Sequence, residues 1–172
     1  MCWYVDGVLV RCLYCEYQDG DPSIILPPED SSLVNAIEMS CVLLLKDILD
    51  RVKEAKIVVS STWRESEEMM RFLLQALKQG EIDVESVVGT TPILGTANGG
   101  RGAEVLNFLA NNAEGEFEKG AFVILDDDHA DSFAQHGLAP YNVLTKMSSG
   151  LTEANVFKAC EILEESRLKA HE

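Results

Sequence analysis

The sequence predicts a single α/β domain over residues 1–172, with a mainly parallel sheet covered by helices on both faces in a three-layer, Rossmann-like arrangement. Short apolar segments rich in β-branched residues alternate along the chain with segments of helical periodicity. Such alternation is typical of βαβ units, in which parallel strands are buried on both faces. The chain length suits one domain with one hydrophobic core.

The first half of the chain predicts two strands and two helices. In order, these are a strand over Cys2–Val5, a loop over 16–31, a helix over Ser32–Ala55 in one or two pieces, a strand over Ile57–Val59 and a helix to about Lys78. Asp6-Gly7 ends the first strand in a turn, and turn-forming residues fill the loop. Ser66, followed by two glutamates, is a suitable N-cap for the second helix.

The second half continues the alternation. It predicts a short strand at Val87-Val88, a loop at 98–100, a helix over Arg101–Asn111, a strand over Phe122–Leu125, a strand over Asn142–Thr145 and a terminal helix. The run Phe122–Leu125 is the clearest buried strand, and Thr152 is the expected cap of the last helix.

Composition and charge limit the kind of partner. The net charge of -15 repels nucleic acid phosphates over most of the surface, so extended nucleic acid contact is disfavoured. An anion site would need a metal ion, an arginine or backbone N–H groups. No apolar run is long enough to span a bilayer, and no export signal is evident, so we expect a cytoplasmic protein.

The cysteines and histidines give weak signals. Five cysteines without an export signal predict reduced thiols. Cys12 and Cys15 form a C-x-x-C pair without a second pair, which favours an ordinary packing role over a zinc or redox site. His129 follows an acidic triplet and could serve a metal or a proton transfer, although a lone loop histidine usually does neither.

Polar residues follow the three clearest strands. Asp6 follows the first, Ser60 the second, and Asp126-Asp127-Asp128 the third. The carboxyl ends of parallel strands share one edge of a sheet, where α/β proteins bind ligands. Clustered carboxylates repel one another unless a cation lies between them, and oxygen ligands suit Mg²⁺. Arg101, which opens a helix after two glycines, favours an anion.

The order of these segments resembles the haloacid dehalogenase (HAD) phosphohydrolases. Val5-Asp6-Gly7 matches the second half of that family's opening motif, and the segment Ser60-Ser61-Thr62-Trp63-Arg64 is similar to the second motif of a capless subgroup associated with RNA repair and polynucleotide-kinase-like proteins. Arg101, with Glu104 one turn on, is the candidate for the third motif, and Asp126-Asp127 for the fourth. Gly150-Leu151-Thr152 also resembles the subgroup.

The resemblance implies roles for individual residues. Asp6, Ser60, Arg101, Asp126 and Asp127 would be catalytic, Ser60, Ser61 and Arg101 would bind phosphate, and Asp6, Asp126 and Asp127 would hold Mg²⁺. The nucleophilic aspartate of the family, two residues before Asp6, is Tyr4 here. A phenol with a pKa near 10 is a poor replacement for a carboxylate. We therefore expect weak or no phosphatase activity and weakened metal affinity.

Alternatives remain open at this point. The chain could be an active Mg²⁺-dependent phosphatase with an altered nucleophile, or a protein-binding scaffold. The gaps between motifs leave no room for a cap domain, so the site would be open to a phosphorylated macromolecule or a protein partner. Trp63 is expected to pack in the core or at its rim, and Arg64 either to pair with an acidic motif residue or to lie on the surface. A phosphorelay receiver domain is a competing small α/β class.

Overall fold

The computed structural model describes residues 2–3, 8–9, 37–112, 121–127 and 131–170. Five strands form one parallel sheet in the order β3-β2-β1-β4-β5. They are β1 Cys2–Trp3, β2 Ile57–Val59, β3 Val87–Thr90, β4 Ile124–Asp126 and β5 Asn142–Leu144. The central position of β1 between β2 and β4 is that of a Rossmann-like sheet, whereas a receiver domain places its first strand between the second and the third.

Helices cover both faces of this sheet. They are α1 Met39–Arg51, α2 Glu67–Gln79, α3 Gly100–Asn111, α4 Asp131–Ala134 and α5 Glu153–Ala170. One apolar cluster joins α1, α2 and α5 to strand residues such as Val59 and Leu125. A second cluster joins α3 and α4 to the opposite strand residues, Val58 and Ile124. The predicted three-layer architecture is confirmed.

Strand side chains alternate between these two clusters, as the two-residue period of a strand requires. Trp3 pairs with Val59 on one side and with Leu125 on the other. Ser60 and Asp126 therefore each lie one residue beyond the same level of the sheet. Asp126, two residues after Ile124, belongs to the face covered by α3.

The predicted strand over Phe122–Leu125 has both boundaries wrong, because the prediction followed the apolar run. The strand begins at Ile124 and includes Asp126, because Cys2 in β1 and Asn142 in β5 both pair with Ile124. Phe122 and Val123 are buried but precede the paired part of either neighbour. Strand β3 extends past Val88 to Thr90 through its pairing with β2. Strand β5 ends at Leu144 rather than Thr145.

The first helix is shorter than predicted. Helix α1 begins at Met39 because the preceding Glu38 donates its backbone N–H to Leu9 O at 2.7 Å. It ends at Arg51, and Glu54 at φ 73° adopts a left-handed conformation that an α-helix excludes. The predicted beginning of that helix at 32–36 and the loop at 16–31 lie outside the described residues. The capped helices α2 and α5 are confirmed, with Ser66 accepting from Met69 N and Thr152 accepting from Asn155 N.

No cap domain interrupts residues 60–99, all of which are described: this stretch holds α2, β3 and short 3-10 turns at Thr62–Glu65, Val84–Ser86 and Thr96–Asn98. Among the helices of the described ranges, none has both the length and the apolar composition that a membrane crossing requires.

Candidate functional site

Asp126 and Arg101 form an ion pair at the carboxyl edge of the sheet. Asp126 ends β4, and its side chain is only 2% exposed. Arg101, in the first turn of α3, reaches it with Nη1 at 3.1 Å from Oδ2 and 3.4 Å from Oδ1. The arginine side chain keeps 23% of its surface exposed. A buried carboxylate and a half-buried guanidinium therefore meet where the resemblance expects metal and phosphate chemistry.

Ser60 lies at the end of β2, one position beyond the level that β1 shares with β4. The residue is 4% exposed, and its Oγ accepts a hydrogen bond from Thr91 Oγ1 at 3.0 Å. Thr91 follows β3, and its backbone N–H donates to Val59 O at 3.0 Å. The two hydroxyls share one hydrogen bond, so one of them keeps a proton for another acceptor.

Ser61 has a local structural role. Its Oγ accepts from the backbone N–H of Trp63 at 3.2 Å and so caps the 3-10 turn Thr62–Glu65. The residue is fully buried, and Trp63 is 6% exposed within the first apolar cluster. The expected packing role of Trp63 is confirmed. The proposed contact of Ser61 with phosphate stays a prediction.

The side chain of Arg64 is buried at this edge, with only 5% of its surface exposed. Nη1 donates to the carbonyls of Ser60 at 2.9 Å and Ser61 at 2.6 Å, and Nε donates to Thr91 O at 3.0 Å. Nη2 donates to Pro92 O at 3.2 Å and to Glu104 Oε2 at 2.8 Å. The guanidinium group thus bridges two loops and a helix.

Glu104 completes this network from α3. Its side chain is 6% exposed, and its second oxygen, Oε1, accepts from the backbone N–H of Leu94 at 3.0 Å. Glu104 lies three residues after Arg101, close to one helical turn, so the two side chains leave the same side of α3. Arg64 therefore pairs with the acidic residue that accompanies the third motif, and the surface alternative for Arg64 is wrong.

The N-terminus of α3 packs closely against the segment that follows β4. Its N-cap, Gly99, has φ 95° and offers no side chain, while the Gly102 N–H donates to Ser132 Oγ at 3.3 Å. His136 Nε2 lies 3.1 Å from Gly99 O. These contacts fix the helix end that carries Arg101.

The segment after the first strand is also anchored. Val8 and Leu9 are fully buried, and their carbonyls accept from the backbone N–H groups of Leu151 at 2.8 Å and Glu38 at 2.7 Å. This gives the Gly150-Leu151-Thr152 segment a definite contact with the turn after the first motif. Tyr4, Asp6, the C-x-x-C pair, Asp128 and His129 lie outside the described residues.

The described donors suit Mg²⁺ in kind. Asp126 and the half-buried Asp127 supply hard carboxylate oxygens at a strand end. Within the described ranges no group of three or more His, Cys, Asp or Glu side chains is arranged to hold a metal ion. A complete site would therefore need a further ligand, and Asp6 is the candidate from the sequence.

Sequence reasoning gave no role to two contributors to this edge and left the role of a third open. Thr91 was not considered, and Glu104 was noted only for its position after Arg101. Arg64 was weighed evenly between two roles. A buried arginine in a loop has no periodic signal, because its partners are mostly backbone carbonyls whose position depends on the fold.

The comparison with protein families identifies the chain. Residues 5–156 match the family described as the HAD domain in Swiss Army Knife RNA repair proteins. No curated protein and no solved structure matches the chain. The match covers most of the sequence and agrees with the strand order and with the motif segments that the sheet brings to one edge. The chain therefore belongs to the HAD superfamily, in the family of HAD domains found in Swiss Army Knife RNA repair proteins.

Proposed function

We propose that this protein binds a phosphate group and Mg²⁺ at the carboxyl edge of its sheet and has weak or no phosphatase turnover. The Arg101–Asp126 pair carries the proposal, because it sets a cation for phosphate beside a carboxylate for metal. The Ser60 hydroxyl, held by Thr91, would donate to a phosphate oxygen. HAD-family domains generally use Mg²⁺, which supports the metal assignment.

The sequence of the first motif supports the loss of turnover. In the HAD mechanism a carboxylate attacks phosphorus, and the position of that carboxylate holds Tyr4. At pH 7 only about one unperturbed tyrosine in a thousand is ionised, so the phenol is a weak nucleophile. Asp6, which the resemblance assigns to acid/base chemistry, can still transfer a proton but has no covalent intermediate to resolve.

The chain's own residues would then act mainly in binding. When bound, Mg²⁺ would supply positive charge for the phosphate oxygens, with Asp126, Asp127 and Asp6 as its holders. Arg101 would balance the charge that Mg²⁺ leaves on the phosphate, and Ser60 would orient it.

The test is hydrolysis of p-nitrophenyl phosphate with MgCl₂. We expect the wild type to stay near the rate without enzyme and Tyr4→Asp to raise the rate about 10-fold or more, because nucleophile loss usually costs far more than that. Asp126→Asn in the Tyr4→Asp background is the control and should return the rate to background. Robust Mg²⁺-dependent turnover by the wild type, abolished by Asp126→Asn, would overturn the proposed loss of activity.

A second candidate is an active phosphatase that acts on the terminal phosphate of a nucleic acid or nucleotide. The family description, which names RNA repair proteins, favours it. The net charge of -15 disfavours a long nucleic acid footprint, but a strand end needs little contact. Release of phosphate from a terminally phosphorylated RNA oligonucleotide by the wild type, without turnover of the small substrate, would select this candidate. Binding of phosphate with no turnover of either substrate would support the proposal. The next experiment would then be a search for a protein partner that binds at the open site.

A further inference from the structure

We propose that Arg64 and Glu104 are positioning residues that lock Ser60 and Arg101 into one phosphate site, and that Arg64 itself does not bind the phosphate. This inference rests on the proposed phosphate site. We call the pair, with the carbonyls that Arg64 holds, the Arg64–Glu104 clamp.

The donor count of Arg64 is the first step. A guanidinium group has five N–H donors, one on Nε and two on each terminal nitrogen. Arg64 uses one on Nε, two on Nη1 and two on Nη2, on the carbonyls of Ser60, Ser61, Thr91 and Pro92 and on Glu104. No donor remains for an anion. The charge is also balanced by the Glu104 carboxylate at 2.8 Å.

The second step is what the clamp connects. Arg64 fixes the backbone of Ser60, and through Thr91 O it fixes the residue whose hydroxyl donates to Ser60 Oγ. Glu104 fixes α3 one turn after Arg101 and holds the Leu94 N–H as well. The loop after β2, the loop after β3 and the first turn of α3 are therefore joined through one buried ion pair.

The third step is the direction in which phosphate affinity changes when the charge of Glu104 is removed, because a positioning role and a ligand role for Arg64 predict opposite directions. If Arg64 were a phosphate ligand, removal of the Glu104 charge would free it and strengthen phosphate binding. If Arg64 is part of the clamp, loss of Glu104 lets α3 and the Ser60 loop move apart, and phosphate binding weakens despite the gain in positive potential. The two roles predict opposite changes for one variant.

The experiment is calorimetric titration of inorganic phosphate into wild type and variants with saturating MgCl₂, on protein shown to be folded by circular dichroism. We expect Glu104→Ala to weaken phosphate binding about 10-fold, a change of about 1.4 kcal/mol. Glu104→Gln keeps the shape but only one acceptor oxygen for Arg64 Nη2 and the Leu94 N–H, so phosphate binding should weaken by no more than in Glu104→Ala. Glu153→Ala, an exposed glutamate in the first turn of α5, controls for the change in net charge.

Arg64→Lys and Glu104→Gln give a second test if Glu104→Ala does not fold. Lysine keeps the charge but has three donors in place of five and cannot bridge both loops, so the clamp predicts weaker phosphate binding for Arg64→Lys. An arginine that bound phosphate through two N–H groups would also lose affinity on this change, so the sign of the Glu104→Gln effect separates the two roles. Tighter phosphate binding by Glu104→Ala or Glu104→Gln would overturn the inference, and so would unchanged binding by Arg64→Lys.

Arg101→Met separates the two proposals. If the wild type binds phosphate and Arg101→Met does not, the phosphate site stands, and the clamp variants then test the clamp alone. If the wild type does not bind phosphate, the proposed function fails, and the inference fails with it.

Discussion

Two arginines at the same sheet edge have different chemical capacities. Arg64 is buried, each of its side-chain N–H groups donates a hydrogen bond within the protein, and its charge is balanced by Glu104. Arg101 retains 23% of its side-chain surface and contacts Asp126 at longer distances. Residue type alone would assign an arginine beside a serine motif to phosphate binding. Burial and donor count remove Arg64 from that role, which leaves Arg101 as the arginine of the proposed phosphate site.

Gly102 is required by close packing rather than by backbone conformation. A Cβ there would lie 2.4 Å from His136 Cδ2 and 2.6 Å from the backbone oxygen of Ser132. In most helices a glycine-to-alanine change is stabilising by roughly 0.5–1 kcal/mol. We expect Gly102→Ala instead to lower the free energy of unfolding by about 1–3 kcal/mol, as overpacking does, measured by urea denaturation.

His136→Ala provides the matched background for that measurement. It removes the nearer contact but leaves the Ser132 carbonyl, so the cost of Gly102→Ala should fall without disappearing. A stabilised Gly102→Ala protein would show that α3 does not pack on this segment as closely as the distances indicate.

At the scale of elements, the N-terminal cap of α5 connects that helix to the last strand of the sheet. Thr152 and Asn155 exchange hydrogen bonds at the start of α5, with Asn155 Oδ1 3.0 Å from Thr152 N and Thr152 Oγ1 3.3 Å from Asn155 N. Asn155 Nδ2 also donates to Leu144 O in β5 at 3.2 Å. This cap therefore fixes α5 against the last strand.

We expect Thr152→Ala to cost about 1 kcal/mol of unfolding free energy, because the N–H of Asn155 loses its acceptor. For a domain of this size, that corresponds to a fall in Tm of roughly 2–4 °C, which differential scanning calorimetry resolves. Thr152→Ser keeps the hydroxyl and should restore most of the loss. Equal Tm values for the alanine and serine variants would contradict the capping role.

The sequence predicted elements wherever local chemistry decides them. The β-branched run Ile57–Val59 and the capping residues Ser66 and Thr152 specify their elements almost alone. Boundaries set by neighbours were missed, as at Ile124, where pairing with β1 and β5 decides the first strand residue. The role of Arg64 was left open for the same reason, since the Arg64–Glu104 clamp joins residues forty positions apart and includes carbonyls that only the folded sheet brings together.

At the scale of the whole molecule, the net charge of -15 means that any added salt can raise stability. Binding of a cation at one site must therefore be distinguished from general screening. Screening by salt relieves self-repulsion in an acidic protein and raises stability without a site. A bound ion adds RT ln(1 + [L]/Kd), about 2.7 kcal/mol at a hundredfold excess over Kd.

We therefore expect MgCl₂ to raise the Tm of the wild type by a few degrees more than NaCl of the same ionic strength, measured by thermal unfolding monitored by circular dichroism. Asp126→Asn should abolish the difference between the two salts, because it removes the carboxylate charge at the end of β4 while keeping its shape. Asp83→Asn, at an exposed position in the turn before β3, should leave the difference intact. Identical wild-type Tm values in the two salts, or a Mg²⁺ effect that persists in Asp126→Asn, would mean that the acidic surface and not the strand-end carboxylate receives the ion.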